Sequence, residues 1–431
     1  MVQGMSASLT RLSAVQLAMR LQRREITAEA LLRECIARID EREALVGAWQ
    51  HLDRHAALTH ARALDGGAIR GPLHGLPIAV KDIIDTADMP TGHGSLIYAG
   101  QRPVADAACV AIARLAGAVV VGKTVTTEFA SFFPGKTANP RNLAHTPGGS
   151  SSGSAAAVAD GMVPLAFATQ TAASIVRPAS FCGIVGYKPS FGWLNRAGIK
   201  PFADSLDTLG AFATDVASVA WFAAALSGRE ALRLVEEPAV AAPRIGICRT
   251  HEWSRITIEA QAALEQIARR LAPQAQVTDV HLDERFAGLV DDQHAVMTYE
   301  ASRAFAYERM AHGDRLSAKI REVFAHGDGV THAGYDQALR RAEQARAGLL
   351  ELWQGCDVLL APSALGEAPE GLGATGDPLM SRMWTLLGVP CVNLPAGLGG
   401  TGLPLGVQVI GPIRGDLNVL RAAHWIEARI G

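Results

Sequence analysis

Little in this sequence of 431 residues points to a charged partner, an oxidising compartment or a membrane. Acidic and basic side chains nearly cancel, leaving a formal net charge of −2, so no electrostatic case exists for nucleic acid or an anionic lipid surface. The 6 cysteines (Cys35, Cys109, Cys182, Cys248, Cys356 and Cys391) are scattered without C-x-x-C spacing. That pattern argues against a disulfide framework or a zinc knuckle and reads as reduced core thiols. No apolar run approaches about 18 residues, which removes the transmembrane helix, and the opening MVQGMSASLT has neither the basic nor the apolar region of a secretory leader. The expected compartment is the cytoplasm. No internal repeat is visible, and neither a metal nor a cofactor is expected.

What the chain does have is hydroxyl groups and glycine around a lysine. The stretch from Thr146 to Pro189 holds a Gly-Ser turn, Gly148-Gly149-Ser150-Ser151-Ser152-Gly153, and a second small-residue segment, Thr171-Ala172-Ala173-Ser174. Upstream, Lys81 follows Ile78-Ala79-Val80, an apolar run that reads as a buried strand end. A serine attacks a carbonyl once its proton has somewhere to go, and a lysine can take it where burial disfavours the ammonium. Desolvation lowers a lysine from its usual ~10.4 by up to about 3–5 units. Amide cleavage also requires a proton for the leaving nitrogen, a task for a relay hydroxyl beside the base. The glycines allow unusual backbone dihedrals at that turn, and small side chains let main-chain N–H groups approach an oxyanion.

With these residues the chain resembles the amidase signature family of Ser-cisSer-Lys hydrolases. The likeness runs from about Leu9 to the last helix and includes Gly122-Lys123-Thr124, Asn139-Pro140, Phe181-Cys182-Gly183, Gly186-Tyr187-Lys188-Pro189, Gly388-Val389-Pro390 and Asn393-Leu394-Pro395. The resemblance implies that Lys81 is the base, Ser150 the cis-serine relay and Ser174, 24 residues later, the nucleophile. It also implies that the N–H groups of Thr171, Ala172, Ala173 and Ser174 form the oxyanion hole, with Ser151 at the substrate site. The implied fold is α/β: one large domain over residues 1–431, a mixed central sheet with helices on both faces, and an N-terminal helical segment of about 1–65 packed on the core.

Two departures from the family pattern matter. Where most members have Asp-x-Gly-Gly-Ser-x-Arg, this chain has Gln170-Thr171-Ala172-Ala173-Ser174-Ile175-Val176-Arg177-Pro178, so the arginine lies three residues after the serine. That arrangement is similar to the malonamidase-type branch, in which the equivalent arginine binds the substrate carboxylate. On a helical turn i and i+3 share a face, so Arg177 can point where Ser174 points, and a guanidinium grips a carboxylate bidentately. The alternative is an ion pair with Asp160 or Asp207. The second departure is the alanine pair, Ala172-Ala173, in place of glycines. If either position needs φ > 0, its Cβ is costly and the oxyanion hole is weakened.

Three other motifs compete. Residues 117–124 match G-x4-G-K-[ST], yet their centre is Ala-Val-Val-Val, a buried strand rather than a phosphate-wrapping loop. Gly149 to Gly153 matches G-x-S-x-G, which would make Ser151 the nucleophile, but no later histidine lies in a distinctive motif. His51, His55 and His60 sit close together on an expected helix without a third-ligand motif, so a solvated face is the simpler reading.

Helical periodicity marks residues 13–43, 105–115, 216–226, 258–271, 297–310, 335–353 and 417–428, and short apolar strands fall at 78–80, 118–121, 244–247, 358–361, 391–394 and 407–410. The segment 228–243 is the best linker. Pocket residues outside the motifs are sought in 288–373, where Tyr299, Glu300, Tyr307 and His332 are open between surface and pocket. The expected function is hydrolysis of a small carboxylate-bearing amide to acid and ammonia through an acyl-serine. A catalytic component resembling the transfer-RNA amidotransferase A chain or the carboxybiuret hydrolases, and a catalytically silent interaction protein, are the alternatives. The expected partner is the small amide itself, with a homodimer or a small partner chain left open.

Overall fold

The computed structural model describes residues 8–235 and 242–430. Eleven strands form one sheet: β1 Trp49–Leu52, β2 Pro77–Lys81, β3 Val119–Thr124, β4 Leu165–Gln170, β5 Val185–Lys188, β6 Thr208–Ala213, β7 Ile245–Arg249, β8 Val277–His281, β9 Val358–Pro362, β10 Cys391–Leu398 and β11 Pro404–Ile410. Their order is β1-β3-β2-β4-β6-β5-β10-β11-β9-β7-β8. β2 runs parallel to both β3 and β4, whereas β4 and β6, β5 and β10, and β10 and β11 pair antiparallel, so the sheet is mixed. Strands β2, β3 and β4 are buried along their whole length, the mark of a sheet covered by flanking helices. One contiguous apolar cluster joins Leu17 and Leu31 of the N-terminal helices to Ile78, Phe167 and Val409 of the sheet.

Several sequence expectations shift. The helical stretch at 13–43 is two helices, Ala14–Gln22 and Ala28–Val46, broken where Arg24 adopts φ 57°. The second restarts because Thr27 caps it and the Asp65 carboxylate accepts from the N–H of Ala28 (2.7 Å) and Glu29 (3.0 Å). The expected helix at 297–310 is Leu289–Ala304 followed by the short Ala306–His312. His51 lies on strand β1, not on a helix with His55 and His60, so that trio is dispersed by a change of element. The Walker-like match is strand β3, with Lys123 fully buried, paired with Asp82 at 3.3 Å and donating to Thr91 Oγ1 at 2.6 Å. Of the expected linker 228–243, residues 236–241 lie outside the described residues, and 230–234 form a short 3-10 helix.

Candidate active site

Strands β2 and β4 run parallel and pair near their starts, with Ile78 opposite Leu165 and Ala79 opposite Ala166, so their C-terminal ends face the same edge of the sheet. Such strand ends are where open α/β sheets place ligands. Lys81, the last residue of β2, is fully buried there. Its Nζ is 2.8 Å from Ser150 Oγ and 2.7 Å from Thr169 Oγ1. Burial pushes the Lys81 amine well below its ordinary pKa, and the negative charge of Asp207 opposes that shift. Thr169, near the end of β4, is the partner that sequence reading missed.

Ser150 is carried by the Gly-Ser turn, in which the Gly149-Ser150 peptide is cis and Gly148 sits at φ 80°, a left-handed conformation that favours glycine. The turn leads into the helix Ser152–Ala159, whose described side chains are almost all buried. That helix begins against the backbone just before β1 and just after β3: a Cβ at Gly153 would lie 2.2 Å from the Ala48 carbonyl oxygen and 2.5 Å from the Val125 nitrogen. Ser151, the nucleophile in the elbow reading and a substrate residue in the family reading, spends its hydroxyl on the main chain of Thr169, donating to the carbonyl (3.2 Å) and accepting from the N–H (3.3 Å).

Ser174 lies just before the helix Val176–Cys182, and its side chain has no hydrogen-bond partner among the described residues. The helix start is held by Gln170, whose Oε1 accepts from the N–H groups of Ile175 (2.8 Å) and Val176 (3.0 Å). Residues 174–178 pack on the Gly-Ser turn, since Arg177 Nη2 donates to the Gly149 carbonyl at 2.7 Å and a Cβ at Gly148 would meet Pro178 Cα at 2.9 Å. Among the described residues the main-chain N–H groups of Thr171, Ala172, Ala173 and Ser174 have no acceptor. Neither Ala172 nor Ala173 has positive φ, so the alanine pair carries no left-handed strain. Four free donors beside an unengaged serine can stabilise an oxyanion.

Arg177 is 2 % exposed. It donates to the Gly376 carbonyl (2.8 Å), the Gly149 carbonyl (2.7 Å) and Thr375 Oγ1 (3.1 Å), all neutral acceptors, and its buried Nε has no partner. Burial lowers its pKa to about 9. Asp160 is taken by Arg38 and Arg42, and Asp207 by Thr171 Oγ1 (2.5 Å) and the N–H of Phe202 and Ala203, so neither carboxylate pairs with Arg177. Burial raises Asp207 to about 6. In the 288–373 region, Tyr299 is buried, stacks on Tyr335 at 4.3 Å and bonds His332 Nδ1, Glu300 accepts from Ser205 and Tyr335, and Tyr307 faces outward. A cleft of about 470 Å³ bordered by Asp82, Gly92 and Thr126 has none of Lys81, Ser150 or Ser174 in its walls. Among the described residues no three His, Cys, Asp or Glu side chains are grouped to hold a metal.

Known proteins align with this arrangement over nearly its whole length. The profile of the family described as Amidase matches residues 30–420. The A component of the glutamyl-tRNA(Gln) amidotransferase of Rhodopirellula baltica is 32% identical over 484 residues, covering 96% of this chain and 96% of that protein. Among solved structures, a crystal structure of an amidase superposes with a TM-score of 0.90 at 30% identity, covering 97% of this chain and 100% of the other. The native peptide amidase of Stenotrophomonas maltophilia does so with a TM-score of 0.83 at 29% identity, covering 97% of each chain.

Proposed function

This chain belongs to the amidase family of C–N bond hydrolases, and from that premise we propose that it cleaves a small amide bearing an anionic group, with Ser174 as nucleophile, Ser150 as relay and Lys81 as base. A neutral amine has two N–H bonds and one lone pair. If one N–H goes to Thr169 Oγ1, the lone pair is free to receive the Ser150 proton as Ser150 receives that of Ser174. Ser174 Oγ then adds to the amide carbonyl, and the N–H groups of residues 171–174 hold the oxyanion. Return of the proton through Ser150 to the leaving nitrogen releases ammonia, and water hydrolyses the acyl-serine by the same route reversed.

The observation that carries the substrate class is Arg177, a buried cation bonded only to neutral acceptors and forming no ion pair among the described residues. Buried charges are ordinarily compensated by an opposite charge, and a substrate carboxylate would supply it. Two charges lie within electrostatic range of Arg177, the carboxylate of Asp377 with the larger influence and the Arg382 guanidinium with the smaller, and neither is bonded to it. A screen of malonamate, malonamide, biuret-type compounds and neutral aryl amides with ammonia release as readout tests this reading. Turnover confined to the neutral amides would overturn the substrate class while leaving the amidase chemistry in place.

One observation favours a second reading, namely the whole-length match to a protein named as one component of an amidotransferase. In that case the chain works with a partner polypeptide. Full specific activity of the purified chain, unchanged by the lysate of its own source, would dispose of it. A catalytically silent protein loses its motive, because the alanine pair is unstrained.

A further inference from the structure

Free N–H groups stabilise an oxyanion only if their peptide planes are held in place, and the structure holds two of these planes from behind. In a trans peptide the N–H points opposite to the carbonyl of the preceding residue, so a group that fixes the carbonyl aims the N–H. The Thr171 carbonyl accepts from Gln293 Nε2 at 2.9 Å, and the Ala172 carbonyl accepts from Thr385 Oγ1 at 2.7 Å. Those two planes carry the N–H groups of Ala172 and Ala173.

We propose that Gln293 and Thr385 are positioning residues for the oxyanion hole, acting from helices Leu289–Ala304 and Leu379–Leu386, which hold none of Lys81, Ser150 and Ser174. Each is oriented by a further bond. Arg382 Nη1 donates to Gln293 Oε1, which turns the amide so that Nε2 faces Thr171. Gln170 Nε2 donates to Thr385 Oγ1 at 2.9 Å, which directs the single hydroxyl proton of Thr385 to Ala172. Gln293 is fully buried and Thr385 is 2 % exposed, so water cannot readily replace either donor. Gln170 thereby serves both ends of the segment, since its Oε1 also holds Ile175 and Val176; a carboxylate at this position would have no N–H for Thr385.

The inference rests on the assignment of Ser174 and residues 171–174, and the test separates the two. An alkyl fluorophosphonate, whose phosphoryl oxygen gains negative charge as the serine attacks, reports the oxyanion hole without knowledge of the natural substrate. The variants are Thr385→Val, which keeps the volume and loses the hydroxyl, Gln293→Leu, and Thr385→Ser, which restores the donor. The expected result is a maximal inactivation rate lowered about ten- to hundredfold in Thr385→Val and Gln293→Leu, with the half-saturating reagent concentration within about threefold of the parent. Thr385→Ser should recover most of the rate. Thr385→Val carries the test if Gln293→Leu does not fold. Parental inactivation rates in the folded variants, with the label on Ser174, overturn this inference alone. A label on another residue of the parent overturns the nucleophile assignment and this inference with it.

Discussion

Lys81 has no solvent, and its nearest side-chain partners are two hydroxyls, so its charge is set by burial and by one distant carboxylate. If it is the base, only the neutral amine works. The rate should therefore rise as pH climbs through the lowered lysine pKa and level off above it. Asp207 raises that pKa, so Asp207→Asn should move the rising limb of the kcat profile to lower pH. A limb that stays in place, or moves to higher pH, in a folded Asp207→Asn protein would remove Lys81 from the role. Arg177 makes a separate prediction. Arg177→Ala should lower kcat/KM for acidic amides by a factor of ten or more beyond its effect on neutral ones, as expected for a charge-assisted pair worth about 1.5–3 kcal/mol. Arg177→Lys should restore part of the difference, because the charge returns and the fork does not. Equal losses on both substrate types would assign Arg177 wholly to bracing the Gly149 carbonyl.

At the scale of elements, the site depends on three segments meeting at one end of the sheet: the end of β2, the Gly-Ser turn with its helix, and the end of β4 with the segment that follows. The Ser152–Ala159 helix is apolar or small all round, as a helix enclosed by other elements must be, and Thr124 and Ser154 hydroxyls tie it to β3 at 2.6 Å. It can sit so close only because residue 153 has no side chain. Gly153→Ala should thus push the helix from β3 and shift the Ser150 turn. The expected cost is at least about 1–3 kcal/mol, the usual range for overpacking, read as a lower denaturation midpoint with activity falling in parallel. An unchanged midpoint would show that the helix can move away without penalty.

At the scale of the molecule, all six cysteines are buried and free, and burial pushes Cys35, Cys109, Cys182 and Cys248 up to about 12. The thiols should resist a thiol-titrating reagent in the native protein, and all should react on unfolding. Rapid reaction of any of them in the folded state would mean that the core opens locally. Among the described residues no helix is long and apolar enough to cross a membrane. A base drawn from lysine also predicts that a strong chelator leaves the rate unchanged; inactivation reversed by added metal would refute that.

The proposed triad could be picked out because each member sits in a local pattern: Lys81 at the end of an apolar run, Ser150 in a glycine-rich turn, Ser174 among small residues before a helix. Those patterns arise from short-range demands of burial, backbone freedom and close approach, which a linear sequence records. Strand β4 was missed because Leu165–Gln170, LAFATQ, is short and rich in alanine, and its strand character comes from pairing with β2 and β6. Thr169 was lost with it. Gln293, Thr385 and Arg382 carry no local signal at all, since their partners, Gln170, Thr171, Ala172 or one another, lie tens to hundreds of residues away. The chain by itself determined the family and the α/β class, and it singled out Lys81, Ser150 and Ser174 as the side chains proposed to react. Only the tertiary structure decided that Arg177 is a buried cation among neutral acceptors and that side chains from two distant helices hold the peptide planes behind Ser174, because hydrogen bonds between remote segments exist only once the sheet has brought those segments together.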